Sequence, residues 1–104
     1  MLADIVKRRL RFVNRNAGSG TRLWLDAELR RLRIPSGMVN GYDTEVNTHT
    51  EAALLIELGK ADVSLGLQAA AHQHNLDFVP LTTGEDYILP LSSFFKQRER
   101  RFRR

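Results

Sequence analysis

The stretch Arg11-Phe12-Val13-Asn14-Arg15-Asn16-Ala17-Gly18-Ser19-Gly20-Thr21-Arg22, continued by Leu23-Trp24-Leu25-Asp26-Ala27-Glu28-Leu29, decides the fold. Leu10, Phe12 and Val13 form an apolar run of β character. The small residues after it make a turn, and Leu25, Leu29 and Leu32 then recur at i, i+4 and i+7, the spacing of one helix face. The pattern is strand, glycine-rich turn, helix. The first amides of a helix have no intrahelical partner and carry the positive end of its dipole, so a turn of Gly18, Ser19, Gly20 and Thr21 leaves them open to an anion. Ser19 and Thr21 add hydroxyl donors. The plainer alternative is an ordinary turn in which Ser or Thr only caps the helix.

Outward from this stretch, strands and helices alternate. Leu2, Ile5, Val6 and Leu10 suit a short helix ahead of the first strand. The helix from about Thr21 to Arg33 is expected to end at Ile34-Pro35, because a residue before proline is pushed out of the α region. A short strand is expected around Glu45 and Val46. A second helix follows, capped by Thr48 or Thr50, with Ala52, Ala53, Leu55, Ile56 and Leu58 as its apolar positions and Gly59 just past its end. Asp62 to Leu67 reads as a buried strand, Gln68 to Asn75 as a helix with a small face of Ala69, Ala70 and Ala71, and Leu76 to Leu81 as a strand with Pro80 at its end or on an edge. Thr82 to Asp86 is a polar turn, and Tyr87 to Leu91 a last apolar run. This order argues for a mostly parallel sheet with helices on both faces, a three-layer α/β/α sandwich.

With 104 residues the chain makes one domain, and 42% hydrophobic and 27% charged residues suit a soluble globular protein. There is no run long enough to span a membrane and no signal-peptide pattern at the N-terminus, and the lack of cysteine excludes disulfides and thiolate chemistry. These features fit a cytoplasmic protein. The net charge of +4 is uneven: residues 1–11 carry +3, residues 94–104 carry +5, and the 82 residues between them carry −4. The expected organisation is one α/β lobe with its core in residues 10–91 and basic terminal segments at 1–9 and 92–104. His72 and His74, two apart on a helix, face different directions and make no metal site together.

Arg11 to Arg15 with Gly18 to Arg22, then Gly41-Tyr42, Thr48-His49, Gly59-Lys60-Ala61-Asp62 with Leu65-Gly66-Leu67, Leu76 to Leu81, and Glu85-Asp86-Tyr87, taken in order, resemble the periplasmic-binding-protein-like domain. That family is found joined to molybdate-responsive helix-turn-helix regulators and to molybdopterin-biosynthesis proteins. The resemblance implies one lobe of a type II fold, in which two α/β lobes close on a small ligand. The partner is then a missing first lobe or, for an isolated lobe, a second copy meeting it through Phe94, Phe95 and part of Tyr87 to Leu91. It also implies a non-catalytic sensor of an oxyanion such as molybdate or tungstate, without a cofactor and without a metal ion of its own. DNA contact would come only from a separate domain, and membrane contact is not expected. The residues expected at the ligand are Gly18, Ser19, Gly20, Thr21, Thr48, His49 and Tyr87, with charge from Arg15 or Arg22. Glu51 and Glu57 are more acidic than the pattern, and the chain departs from it after Leu91.

Two other classes compete. A small hydrolase-like enzyme would use Ser19 as nucleophile with His49 as its base, although no nucleophile elbow, phosphate loop or zinc-protease motif is present. A protein or nucleic-acid interaction module would act through the basic termini, with binding that weakens steeply as salt rises.

Overall fold

Residues 2–81 and 86–90 are described by the structure, a computed structural model. The strand β1 (Phe12–Arg15) has a neighbour on each side in the sheet and alternates between two cores: Phe12 packs on one face and Val13 on the other. It is flanked by β2 (Glu45–Val46) and β3 (Val63–Gly66), both parallel to it. The strand β5 (Asp86–Leu89) runs antiparallel between β3 and β4 (Asp77–Pro80), giving the order β2-β1-β3-β5-β4. β1 to β4 therefore share one direction and only β5 is reversed. Pro80 ends an edge strand, where its missing amide costs no ladder bond.

Helices cover both faces, as the alternating pattern requires. On one face α1 (Leu2–Lys7) and α2 (Gly20–Arg31) pack Leu2, Ile5, Leu25 and Leu29 against Phe12, Val63, Leu65, Tyr87 and Leu89. On the other, α3 (His49–Glu57) and α4 (Gln68–Gln73) bring Ala52, Ala53, Ile56, Ala70 and Ala71 onto Val13 and Ile88. The alanines let both helices lie close to the sheet. Three expectations change here. Leu2 and Ile5 put residues 1–9 partly inside the core rather than outside it. Leu58 is 57% exposed, since it is the residue with which α3 turns away from the sheet. Tyr87, Ile88 and Leu89 are buried inside the lobe and offer nothing to a second copy, while Phe94 and Phe95 lie outside the described residues.

The four α-helices among the described residues close the same way. The residues just past their caps, Arg9, Arg33, Gly59 and Asn75, have φ of 53°, 57°, 74° and 55°. The next amide then reaches back to the last turn: Leu10 to Ile5 O at 3.1 Å, Ile34 to Leu29 O at 2.9 Å, Lys60 to Leu55 O at 2.8 Å and Leu76 to Ala71 O at 2.8 Å. This left-handed closure satisfies carbonyls that a helix end leaves without partners. It also stops α2 at Arg31, before Pro35 acts, so the expected end at Ile34-Pro35 falls a few residues late. Only Gly59 adopts the conformation without steric cost. Gly41 is needed more strictly, for at φ 95° its missing Cβ would lie 2.0 Å from Phe12 O.

An exposed pairing joins the start of β1 to the start of β3. Arg11 Nε and Nη2 donate to Asp62 Oδ2 and Oδ1 at 3.1 and 3.0 Å, and the Arg11 amide donates to Oδ2 at 2.8 Å. The side-chain hydrogen bond from Arg11 is the main cause that holds the Asp62 carboxyl below its ordinary range.

Two measurements follow. Arg33→Gly should raise the unfolding free energy in urea by about 1 kcal/mol, because the side chain is exposed and the left-handed strain is removed. A loss of stability would show that the Arg33 side chain contributes more than its backbone costs. A depressed folded pKa means that the contribution of Asp62 is present above its unfolded value and is lost as pH falls through the folded one. The Asp62 carboxyl should therefore titrate by NMR below about 3.9, and return toward that value in Arg11→Ala.

Candidate functional site

Because β1, β2 and β3 are parallel and adjacent, their C-terminal ends share one edge of the sheet, where open α/β proteins place their ligands. The residues after β1 form a tight turn in which the Ser19 amide donates to Asn16 O at 3.2 Å and Gly18 adopts φ 89°. Ser19 then caps α2: its Oγ accepts from the Arg22 amide at 3.1 Å. The Gly20 and Thr21 amides stand at the start of the helix, where no carbonyl of the same helix is available to them. Next to them, after β2, Thr48 Oγ1 accepts from the Glu51 amide at 3.0 Å, and Glu51 Oε2 accepts from the Asn47 amide at 3.1 Å. Of the two caps the sequence allowed, Thr48 is the one used. Both caps engage hydroxyl oxygens as acceptors and leave the hydroxyl protons able to donate outward.

The two arginines have different surroundings. Arg22 is 8% exposed, and its guanidinium meets Glu45 Oε1 at 2.9 Å, Asp26 Oδ1 at 3.7 Å and the Arg15 carbonyl at 3.0 Å. It also donates from Nε to the Tyr42 hydroxyl at 3.2 Å, with its central carbon 4.3 Å from the Tyr42 ring centre. Tyr42 in turn donates to Asp26 at 2.6 Å; that hydrogen bond first, and burial second, push its phenol above the ordinary range. Arg22 is thus a tie between α2, β1 and β2, and its charge is met within the lobe.

Arg15 is half-buried, and no carboxylate among the described residues pairs with it. Its Nη1 lies 3.1 Å from His49 Nε2, and its Nε is buried without a partner among the described residues. Because a guanidinium can only donate, His49 Nε2 is the acceptor in this pairing. Asn16 Oδ1 is likewise buried without a partner among the described residues.

The edge carries Arg15, Gly18, Ser19, Gly20, Thr21, Thr48 and His49, with Arg15 and His49 in contact and Thr21 the most enclosed of them at 5% exposed. Tyr87 stands apart from them. It is 1% exposed, its ring belongs to the core against α1 and α2, and burial pushes its phenol above the ordinary range. Sequence reasoning passed over Asn16 and gave Gly66 and Asp86 no role beyond the resemblance. The only signal for Asn16 was a polar residue between a strand end and a glycine turn.

The architecture is that of an open α/β lobe whose helices α2 and α3 start at one shared sheet edge. The sequence matches the PBP superfamily domain over residues 1–103, and the chain belongs to that periplasmic-binding-protein-like family. It is also 40% identical over 78 residues to an uncharacterized Bacillus subtilis (strain 168) protein, YvgK; the match covers 75% of this chain and 25% of YvgK, so the chain spans about a quarter of that relative's length. No solved structure gives a significant match. Among the described residues, no helix is long and apolar enough to cross a membrane.

Arg22→Met should lower the unfolding free energy in urea by about 2 kcal/mol, because it removes a buried guanidinium that joins Tyr42, Asp26, Glu45 and the Arg15 carbonyl. Glu45→Gln should cost well under half of that, since Glu45 is 43% exposed and water can replace it. Equal losses would place the strength of the tie in the single pair rather than in the network.

Proposed function

We propose that the chain is a ligand-binding lobe that holds a small oxyanion at the edge formed by the Gly18 to Thr21 turn, and that it senses this ion rather than transforming it. The observation that carries the reading is Arg15: a half-buried cation, without a carboxylate partner among the described residues, set beside the starts of α2 and α3. Two positive dipole ends and a guanidinium on one edge favour an anion there. An oxyanion has only acceptor atoms, so it fits the Gly20 and Thr21 amides, the Ser19, Thr21 and Thr48 hydroxyl protons and the unmatched Arg15 Nε. Molybdate and tungstate are the named candidates, through the resemblance to molybdate-linked members of the family. We place the lobe in the cytoplasm, in keeping with a chain that has no cysteine.

The geometry gives less support to hydrolysis. A serine needs a base with a free lone pair, and His49 Nε2 already accepts from Arg15 while Ser19 Oγ caps α2. A first lobe, supplied by a longer chain, would complete the cleft; alone, this lobe leaves the ion partly hydrated. Titration of molybdate with amide chemical shifts as the readout should give a dissociation constant of about 1 mM, about −4 kcal/mol. The shifts should be confined to Gly18 through Arg22 and the start of α3, and should be lost in Thr21→Val and Arg15→Met. No response at about 10 mM, or one centred on the arginine-rich ends, would make the turn purely structural.

A further inference from the structure

We propose that His49 is a positioning residue, seated in the space left by Gly66, that holds the Arg15 guanidinium at the ligand edge. This inference rests on the oxyanion reading for its purpose and on separate geometry for its substance. Phe12 pairs with Val63 and Val13 with Ser64, a register that, extended by two residues, aligns Arg15 with Gly66, and Gly66 pairs directly with Asp86 across the antiparallel ladder. Neighbours in such a row share a face, here the face of Val13 and Ile88 beneath α3 and α4.

Gly66 is buried and its φ is not positive, so its backbone conformation is open to any residue. What the position demands is room: a Cβ built there comes 3.3 Å from His49 Nδ1 and 3.3 Å from Ile88 Cγ1. The imidazole of α3 lies where a side chain of β3 would lie. From that seat its Nε2 reaches Arg15 Nη1 at 3.1 Å. Asp86, 7% exposed, flanks the same seat on the far side. The row thus runs guanidinium, imidazole, carboxyl group along the C-terminal edge, and its middle member comes from a helix rather than a strand. A guanidinium on a flexible stem, accepted at one end by a ring fixed in this way, keeps its unpartnered Nε in one direction.

The test uses the whole chain and two readouts: the Arg15 side-chain Nε-H signal in NMR without ligand, and the dissociation constant of molybdate. In His49→Leu the Nε-H signal should broaden through solvent exchange and molybdate should bind roughly tenfold more weakly. His49→Gln, whose side-chain carbonyl can accept from Nη1, should recover most of both effects. Gly66→Ala, which displaces the ring without removing it, should fall between them. Thermal unfolding of each variant separates loss of position from loss of fold. A His49→Leu protein that stays folded with an unchanged Nε-H signal would overturn the proposal, as would a glutamine variant as impaired as leucine. If Arg15→Met leaves molybdate binding intact, the oxyanion reading of Arg15 fails, while the Nε-H signal still decides whether His49 positions the guanidinium.

Discussion

The constraint on which everything else depends is the parallel pairing of β1 on both of its edges. A strand with a parallel neighbour on each side needs a crossover on each side, and those crossovers are α2 and α3. Because β1, β2 and β3 run the same way, their chains leave at the same edge, and α2 and α3 begin there with first amides that have no partner in their own helix. The gathering of positive helix ends is thus a consequence of topology rather than of any one residue. Gly41 protects the arrangement: its bare backbone meets Phe12 O more closely than any side chain permits, and the segment around it supplies the Asn40 carbonyl to the Phe12 amide at 2.8 Å.

Charge is then distributed over that frame so that one arginine is used up and another is kept. Arg22 is matched by Glu45, Asp26, Tyr42 and the Arg15 carbonyl, and it binds the turn to the sheet. Among the described residues, Arg15 is matched only by the His49 ring. A cation half out of water without a counter-charge is unfavourable by itself, and an anion at the neighbouring amides relieves it. Arg15 at the end of β1 and Arg22 in the first turn of α2 thus flank the same turn in different surroundings: the second is matched by carboxylates, and the first is the one on which the proposed binding role rests.

Much of the fold was legible in the chain because local signals agreed with one another. The period of Leu25, Leu29 and Leu32, the cap at Thr48, the glycine at 59 and the alternation of elements each pointed to a three-layer sandwich. The position of β5 was not legible: an apolar run such as Tyr87 to Leu91 does not encode its direction or its neighbours, which depend on pairing with distant β3 and β4. The ends of α1, α2 and α4 were also hidden, because Arg9, Arg33 and Asn75 take a conformation that sequence associates with glycine. At the site, the turn was legible from its glycines, whereas the different surroundings of Arg15 and Arg22 were not. They depend on Glu45 and Asp26, which come near Arg22 only once β2 and α2 are in place. Tyr87 reads as a ligand contact in sequence because it is a tyrosine close to a polar turn, whereas alternation along β5 turns its ring into the core.

The central claim is that the edge at the Gly18 to Thr21 turn is an anion site made by topology and completed by Arg15. Anomalous diffraction from crystals grown with molybdate tests this most directly, since the metal scatters strongly and marks its own position. A peak within hydrogen-bonding reach of the Gly20 and Thr21 amides and the Arg15 guanidinium is the predicted result. Peaks confined to the exposed arginines, with that turn empty in crystals where it is open to solvent, would contradict it.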